Sequence, residues 1–260
     1  MKSICVFNQK GGVGKTTTNI NLCSYLANEG FKILTIDIDP QGNSTSGLGI
    51  NKKTIKKSMY DVITSNAKLS EIIEECKLIN NLYIAPATVK LAGAEVEIIN
   101  IENKEFILKE KIKEIKDEFD FIFIDCPPSL GVLTINALTA SDTVLIPIQC
   151  EYYAIEGVAD LTDTINRIKK SLNKDLKIEG VLMTMYDPRI NLCNAIVKDV
   201  AMYYKNNELF STKIPRNIKL AEAPSQGLPI MIYDGKCKGA DAYKKLANEF
   251  LNKQRGNNYE

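Results

Sequence analysis

The sequence contains no histidine and no tryptophan in its 260 residues. Without imidazole, histidine-based triads, histidine-ligated metals and imidazole acid–base catalysis are excluded, which leaves carboxylates, lysines and a bound metal ion as catalytic groups. The seven cysteines (Cys5, Cys23, Cys76, Cys126, Cys150, Cys193 and Cys237) are odd in number, scattered and never spaced C-x-x-C. This distribution reads as reduced thiols used as small buried hydrophobes and disfavours a zinc or iron–sulfur site within one chain, while a cluster shared between subunits stays open. No apolar run approaches the ~20 residues that span a bilayer, and the N-terminus enters an apolar strand without a charged and hydrophobic export signal. A cytoplasmic protein with no membrane partner is expected. The net charge is only +1, so no global field argues for an acidic partner.

What is present is an alternation of apolar runs and amphipathic stretches. Strands are predicted at 3–7, 33–37, 82–85, 121–125, 143–148 and 178–183, with a short candidate at 213–214; helices are predicted at 17–29, 107–118, 133–140, 155–170, 194–204 and 240–251. Continuous runs such as F-I-F-I-D and T-V-L-I-P-I suit strands buried on both faces. The expected fold is α/β, a mostly parallel sheet flanked by helices on both faces, forming one domain over residues 1–251 with a polar tail at 252–260.

The most informative segment is K-G-G-V-G-K-T-T, Lys10 to Thr17, directly after the first apolar run. A strand, a tight glycine turn and a helix leave backbone N–H groups from about Gly12 to Thr17 pointing into one concavity, where the oxygens of a triphosphate can sit. Gly11, Gly12 and Gly14 keep the backbone accessible around Val13, Lys15 supplies charge for the outer phosphates, and the Thr16 hydroxyl is placed to ligate Mg²⁺. The pattern G-x-x-x-x-G-K-[ST] is not met strictly, because Gln9 stands at its first position. At this departure the sequence resembles the deviant Walker A family of P-loop ATPases. That resemblance implies that Lys10 reaches across a dimer interface to the phosphates held by the other subunit, so that ATP joins a sandwich homodimer.

Two acidic motifs accompany the loop. Phe121 to Asp125 is an apolar strand ending in a carboxylate and halted by Cys126-Pro127-Pro128-Ser129, at the edge where α/β sheets bind ligands. Asp125 fits a Walker B role, holding Mg²⁺ through water, although an aspartate ending a strand also serves plain turn initiation. The second motif, I-D-I-D-P-Q-G-N at Ile36 to Asn43, is ordinary turn chemistry by itself. Beside the P-loop, the resemblance implies that Asp39 orients the attacking water and that residues 40–46 respond to the γ-phosphate, with Asp37 in a supporting role. No arginine stands in this loop to offset developing charge, so slow unassisted hydrolysis is expected.

The resemblance extends over nearly the whole chain. D-I-D-P-Q-G-N-S-T-S-G-L-G, D-C-P-P-S-L-G, P-I-Q-C-E-Y-Y-A-I-E-G and K-I-P-R-N-I-K-L-A-E-A-P-S-Q-G-L-P-I are similar to stretches of the ParA/Soj chromosome- and plasmid-partitioning ATPases, in a short form that begins at the P-loop strand without a helix-turn-helix region. The family implies that Pro215 and Asn217 hold the adenine end of ATP, although Pro-Arg-Asn can also be a mere turn. It implies sequence-independent binding of double-stranded DNA by the ATP dimer, with Arg189 and Lys219 among the phosphate contacts, nucleoid association, and a ParB-like centromere-binding partner that triggers hydrolysis. Judged singly, either cation could be a solvated surface charge. Lys219 stands where arginine is common in the family, which keeps the charge and loses the bidentate fork. No N-K-x-D signature for guanine is present, which favours ATP. Three alternatives remain: a membrane-surface relative resembling MinD, against which the polar end at 252–260 argues; a metal-cluster carrier related to nitrogenase iron protein, against which the cysteine spacing argues; and a transcription regulator.

Overall fold

Side chains that alternate along buried strands build two apolar layers on opposite faces of one sheet. The structure, a computed structural model, describes residues 1–152, 154–204 and 208–256. Its strands are β1 (Lys2–Val6), β2 (Ile33–Asp37), β3 (Glu74–Glu75), β4 (Leu82–Ala85), β5 (Phe121–Asp125), β6 (Thr143–Gln149) and β7 (Lys177–Thr184), joined in the order β3-β4-β2-β5-β1-β6-β7. All pairings are parallel except β3 with β4. The antiparallel β3 is two exposed glutamates long, a short charged edge that discourages pairing with another chain.

The helices are α1 (Lys15–Asn28), α2 (Asn43–Gly47), α3 (Met59–Thr64), α4 (Leu91–Glu97), α5 (Ile107–Lys113), α6 (Val132–Ala140), α7 (Ala154–Ser171), α8 (Asn191–Tyr203), α9 (Ile218–Glu222), α10 (Ile230–Tyr233) and α11 (Lys238–Gly256). Cys5, Leu34, Ile36, Ile122, Ile124, Val144 and Ile146 face one layer, which α3 to α8 cover. Ile4, Val6, Ile33, Phe121, Phe123 and Leu145 face the other, under α1 and α9 to α11. Helices therefore flank both faces of a mostly parallel sheet, as the continuous apolar runs predict. Six of the seven cysteines are buried in these layers and Cys237 is half-buried.

Three expectations differ from the structure. Residues 213–214 form no strand: the segment follows β7 and pairs through single bridges, Val181 with Leu209 and Tyr186 with Pro215, and Pro215 has no N–H to continue a ladder. The helix expected over 107–118 ends at Lys113, and after Ile115, which is buried three positions beyond the buried Ile112, an exposed 3₁₀ turn follows at Lys116–Glu118. The last helix runs beyond Leu251 to Gly256, because Lys253 donates to the Glu179 carbonyl (3.1 Å) and Gln254 to the Glu179 carboxylate (2.6 Å), tying its end to β7. The remainder of the expected tail, 257–260, and Tyr153 of the Pro147–Gly157 string lie outside the described residues.

Register places the site. Val6 of β1 and Asp37 of β2 both align with Asp125 of β5, so the loops leaving these three strands emerge side by side at one edge of the sheet.

Candidate nucleotide site

The chain leaves β1, turns through residues 7–14 and enters α1 at Lys15. Gly12 (φ 75°) and Gly14 (φ 91°) occupy the left-handed region, which side chains resist. Gly14 caps α1 with no side-chain hydrogen bond, so the first-turn amides are left for a ligand. The loop is anchored from both flanks: Thr184 at the end of β7 donates to the Val13 carbonyl (2.8 Å), and Asn8 donates to the Pro147 carbonyl (2.7 Å) while accepting from the Lys10 amide (2.9 Å). Lys15 is buried, and its ammonium donates to the Lys10 carbonyl across the loop (3.0 Å). Burial pulls its pKa down, against the attraction of Asp125 and Asp39.

Opposite the loop lies a buried carboxylate cluster. Asp125 Oδ2 accepts from Thr16 Oγ1 and from Ser44 Oγ, each at 2.8 Å. Asp125 Oδ1 is buried with no hydrogen-bond partner. Burial pushes the Asp125 carboxyl up to about 6, offset in part by the two hydroxyl donors. Asp37 accepts from the Thr45 amide (2.8 Å) and hydroxyl (2.7 Å) and from the Asp39 amide (3.2 Å). Burial and the neighbouring Asp125 push it up to about 8. Asp37 thus ties the loop after β2 to α2. Asp39 is 7% exposed, and its Oδ1 accepts from the Gln41 amide (2.9 Å). An uncompensated oxygen beside a hydroxyl is the donor set a hard divalent cation takes, so the residues present fit Mg²⁺.

A cavity of about 300 Å³ adjoins the loop on the β7 side, between Gly14, Thr17, Met185, Pro215, Asn217 and Tyr243. Both residues expected at the base end of a nucleotide therefore share one wall with the P-loop. Asn217 also caps α9 by accepting from the Lys219 amide (2.8 Å). Three expected residues are held in ion pairs. Lys10 is half exposed and its ammonium meets Glu151 at 2.8 Å. The Arg189 guanidinium is paired with Asp187 (2.6 Å), and Lys219 with Glu222 (2.9 Å).

Sequence reasoning missed Ser44, which reaches Asp125 from α2, and Asn19, which donates to Thr35 (2.6 Å) and Ser44 (3.0 Å) and so locks α1 to β2 and α2. It also missed Thr184. A small polar residue in a helix interior, as at Asn19, was the available signal; nothing in the sequence pairs Thr184 with a loop 171 positions away.

A family model described as an AAA domain matches residues 1–178. The chain is 50% identical over 248 residues to the sporulation initiation inhibitor protein Soj of Bacillus subtilis, covering 95% of this chain and 97% of that one. It is 47% identical over 250 residues to the chromosome-partitioning ATPase Soj of Treponema pallidum, covering 96% and 97%. Among solved structures, cobyrinic acid a,c-diamide synthase from Mycobacterium smegmatis with bound ADP and magnesium is 34% identical with a TM-score of 0.85, covering 98% and 96%. No described helix is long and apolar enough to cross a membrane. A phosphate loop with a second lysine, two strand-end carboxylates in register and near-full-length similarity to Soj converge on one conclusion: the chain belongs to the ParA/Soj family of chromosome-partitioning ATPases.

Proposed function

We propose that this ATPase, acting as one domain over residues 1–251, binds Mg²⁺·ATP, closes into a homodimer, coats DNA without sequence preference at the nucleoid, and is released when a ParB-like centromere-binding partner stimulates hydrolysis. The observation that carries the proposal is Asp125, whose one oxygen is held by Thr16 and Ser44 and whose other is buried and bare beside the phosphate loop. Thr16 and Asp125 would hold the metal, and Mg²⁺ bound there would offset charge on the outer phosphates.

The chain's own residues supply the rest. Amides of Gly12 to Thr17 cradle the phosphates and Lys15 neutralises their outer end. The base end enters the cavity at Pro215 and Asn217. Asp39, fixed through Oδ1 by the Gln41 amide, leaves Oδ2 to accept from a water and aim it at the γ-phosphorus; ADP is the leaving group. A carboxylate is a weak base for this task, which accords with slow turnover until a partner acts. Lys10 leaves Glu151 on dimerisation and stabilises the phosphates of the opposite subunit. Closure then needs only that ATP favour the dimer more than ADP does. Arg189 and Lys219 contact DNA phosphates.

Mixed dimers test the cross-subunit arrangement. Lys10→Ala and Asp39→Ala proteins are each expected to be inactive. When they are mixed before ATP is added, one of the two sites in a mixed dimer holds its own Asp39 and receives Lys10 from the partner, so phosphate release returns. No recovery on mixing would show that Lys10 does not act across an interface.

A further inference from the structure

Both cations assigned to DNA are already occupied by a carboxylate of their own turn. Asp187 Oδ1 accepts from the Arg189 amide (3.0 Å) and Nε (2.9 Å), while Oδ2 accepts from Nη2 (2.6 Å). This takes the forked Nε–Nη2 edge, the edge a phosphate uses in a bidentate contact. Glu222 Oε2 accepts from Lys219 Nζ (2.9 Å) and from the Tyr233 hydroxyl (3.0 Å), and the same ammonium lies 5.7 Å from the Tyr233 ring centre. The Arg189 side chain is 87% exposed, while Asp187 beneath it is 22% exposed, so the carboxylate is held by the turn and the guanidinium lies over it at the surface.

The segments that lead to the two pairs meet at Tyr186. The Tyr186 amide donates to the Ile214 carbonyl (2.9 Å), bringing the turn at 187–189 beside the segment that carries Asn217 and Lys219. Met185, which precedes this turn and lines the cavity beside the P-loop, stands at φ 51°, a left-handed conformation that a methionine adopts only when its surroundings hold it there. The carboxylates are ionised at neutral pH: the Arg189 hydrogen bonds hold Asp187 down at about 2, and the Lys219 hydrogen bond holds Glu222 below its ordinary value.

We propose that Asp187 and Glu222 are internal stand-ins for DNA phosphate, so that the protein binds DNA by exchanging each carboxylate for a backbone phosphate. The inference rests on the DNA-binding function proposed above and assigns its regulation to two residues outside the phosphate contacts. A cation that begins in an ion pair brings little net field to the encounter, and part of its attraction for DNA is spent on breaking that pair. Sequence-independent affinity is thereby held low in the free subunit. A symmetric dimer carries two copies of each pair, so small effects at one pair are doubled.

The test measures binding of a random-sequence duplex by anisotropy, with a non-hydrolysable ATP analogue, across a salt series. Asp187→Asn keeps an acceptor for the Arg189 amide and removes the charge; Glu222→Gln does the same for Lys219. Each variant is expected to bind about threefold to tenfold more tightly at low salt. The slope of log affinity against log salt steepens by about one for each cation set free. The tightening must vanish when Asp187→Asn is combined with Arg189→Ala. If it persists without Arg189, the carboxylate acts as diffuse charge and the exchange is overturned. Unchanged affinity and slope in both variants, with Arg189→Ala still weakening binding, would overturn the inference and leave the DNA-binding function intact. Absence of nucleotide-dependent DNA binding in the unaltered protein would overturn both.

Discussion

Thr16 Oγ1 lies 2.8 Å from Asp125 Oδ2, joining the first turn of α1 to the end of β5 at the edge of the sheet where the loops emerge. Ser44 makes the second bond to the same oxygen, so three separate segments meet on one carboxylate while its other oxygen stays bare.

Ser44→Ala removes a donor that orients this carboxylate without removing a proposed metal ligand. Outer groups of this kind change metal affinity by roughly 10- to 100-fold. The Mg²⁺ concentration needed for half-maximal phosphate release is expected to rise about tenfold, with Asn19 losing one of its two acceptors and stability falling by about 1 kcal/mol. A magnesium titration of turnover checks this, and an unchanged midpoint would remove Ser44 from the site.

The buried carboxyls give the ligand-free protein an inverted pH response. Asp37 and Asp125 titrate near 4 when unfolded, and at about 8 and about 6 in the fold. Between those values the native state holds more protons than the unfolded state, so stability falls as pH rises through 6 and 8. The carboxyls held low, such as Asp187 at about 2, give the opposite slope only in more acid solution. The melting temperature is expected to be higher at pH 5.5 than at pH 8 by about 5 °C, and Asp37→Asn should flatten the difference. A melting temperature that climbs steadily over this range would contradict these shifts.

Two glycines separate assembly from folding. A Cβ at Gly11 would sit 3.9 Å from Pro128 Cβ, an ordinary contact, whereas one at Gly180 would meet the buried Phe210 ring at 2.3 Å. Gly180→Ala is expected to destabilise the fold by about 1–3 kcal/mol in denaturant titration. Gly11→Val should melt like the unaltered protein and bind ATP, yet remain monomeric by light scattering, because its outer methyls intrude where a partner subunit approaches. A normal ATP dimer of Gly11→Val would contradict the proposed interface.

Lys15→Ala deletes the buried ammonium that faces Asp125 and Asp39. Loss of a charge-assisted phosphate contact corresponds to about 30- to 100-fold weaker nucleotide binding in calorimetry. Unaltered affinity would exclude Lys15 from the phosphate site.

The strands and the P-loop were legible because their signals are local: a short continuous apolar run such as F-I-F-I-D, buried throughout, and glycines where the turn needs positive φ at Gly12 and Gly14. Asp125 was legible as a strand-ending carboxylate for the same reason. The short helices α2, α3, α4, α9 and α10 left no periodic signature, being four to seven residues long and held by tertiary contacts. Ser44 escaped notice with α2. The ion pairs on Lys10, Arg189 and Lys219 also lay beyond sequence reading, for a different reason. Asp187 and Glu222 stand within three residues of their cations, where a pair, a turn and a solvated charge look alike, whereas Glu151 is 141 positions from Lys10 and only the fold brings them together.

The most direct measurement is anisotropy of a random-sequence duplex with Asp39→Ala protein, taken with ATP, with ADP and without nucleotide, at two salt concentrations. Asp39→Ala should retain ATP and hold the dimer, so binding is expected with ATP alone and should weaken steeply as salt rises. Equal binding in all three nucleotide conditions, or none while ATP still dimerises the protein, would contradict an ATP-gated grip on DNA.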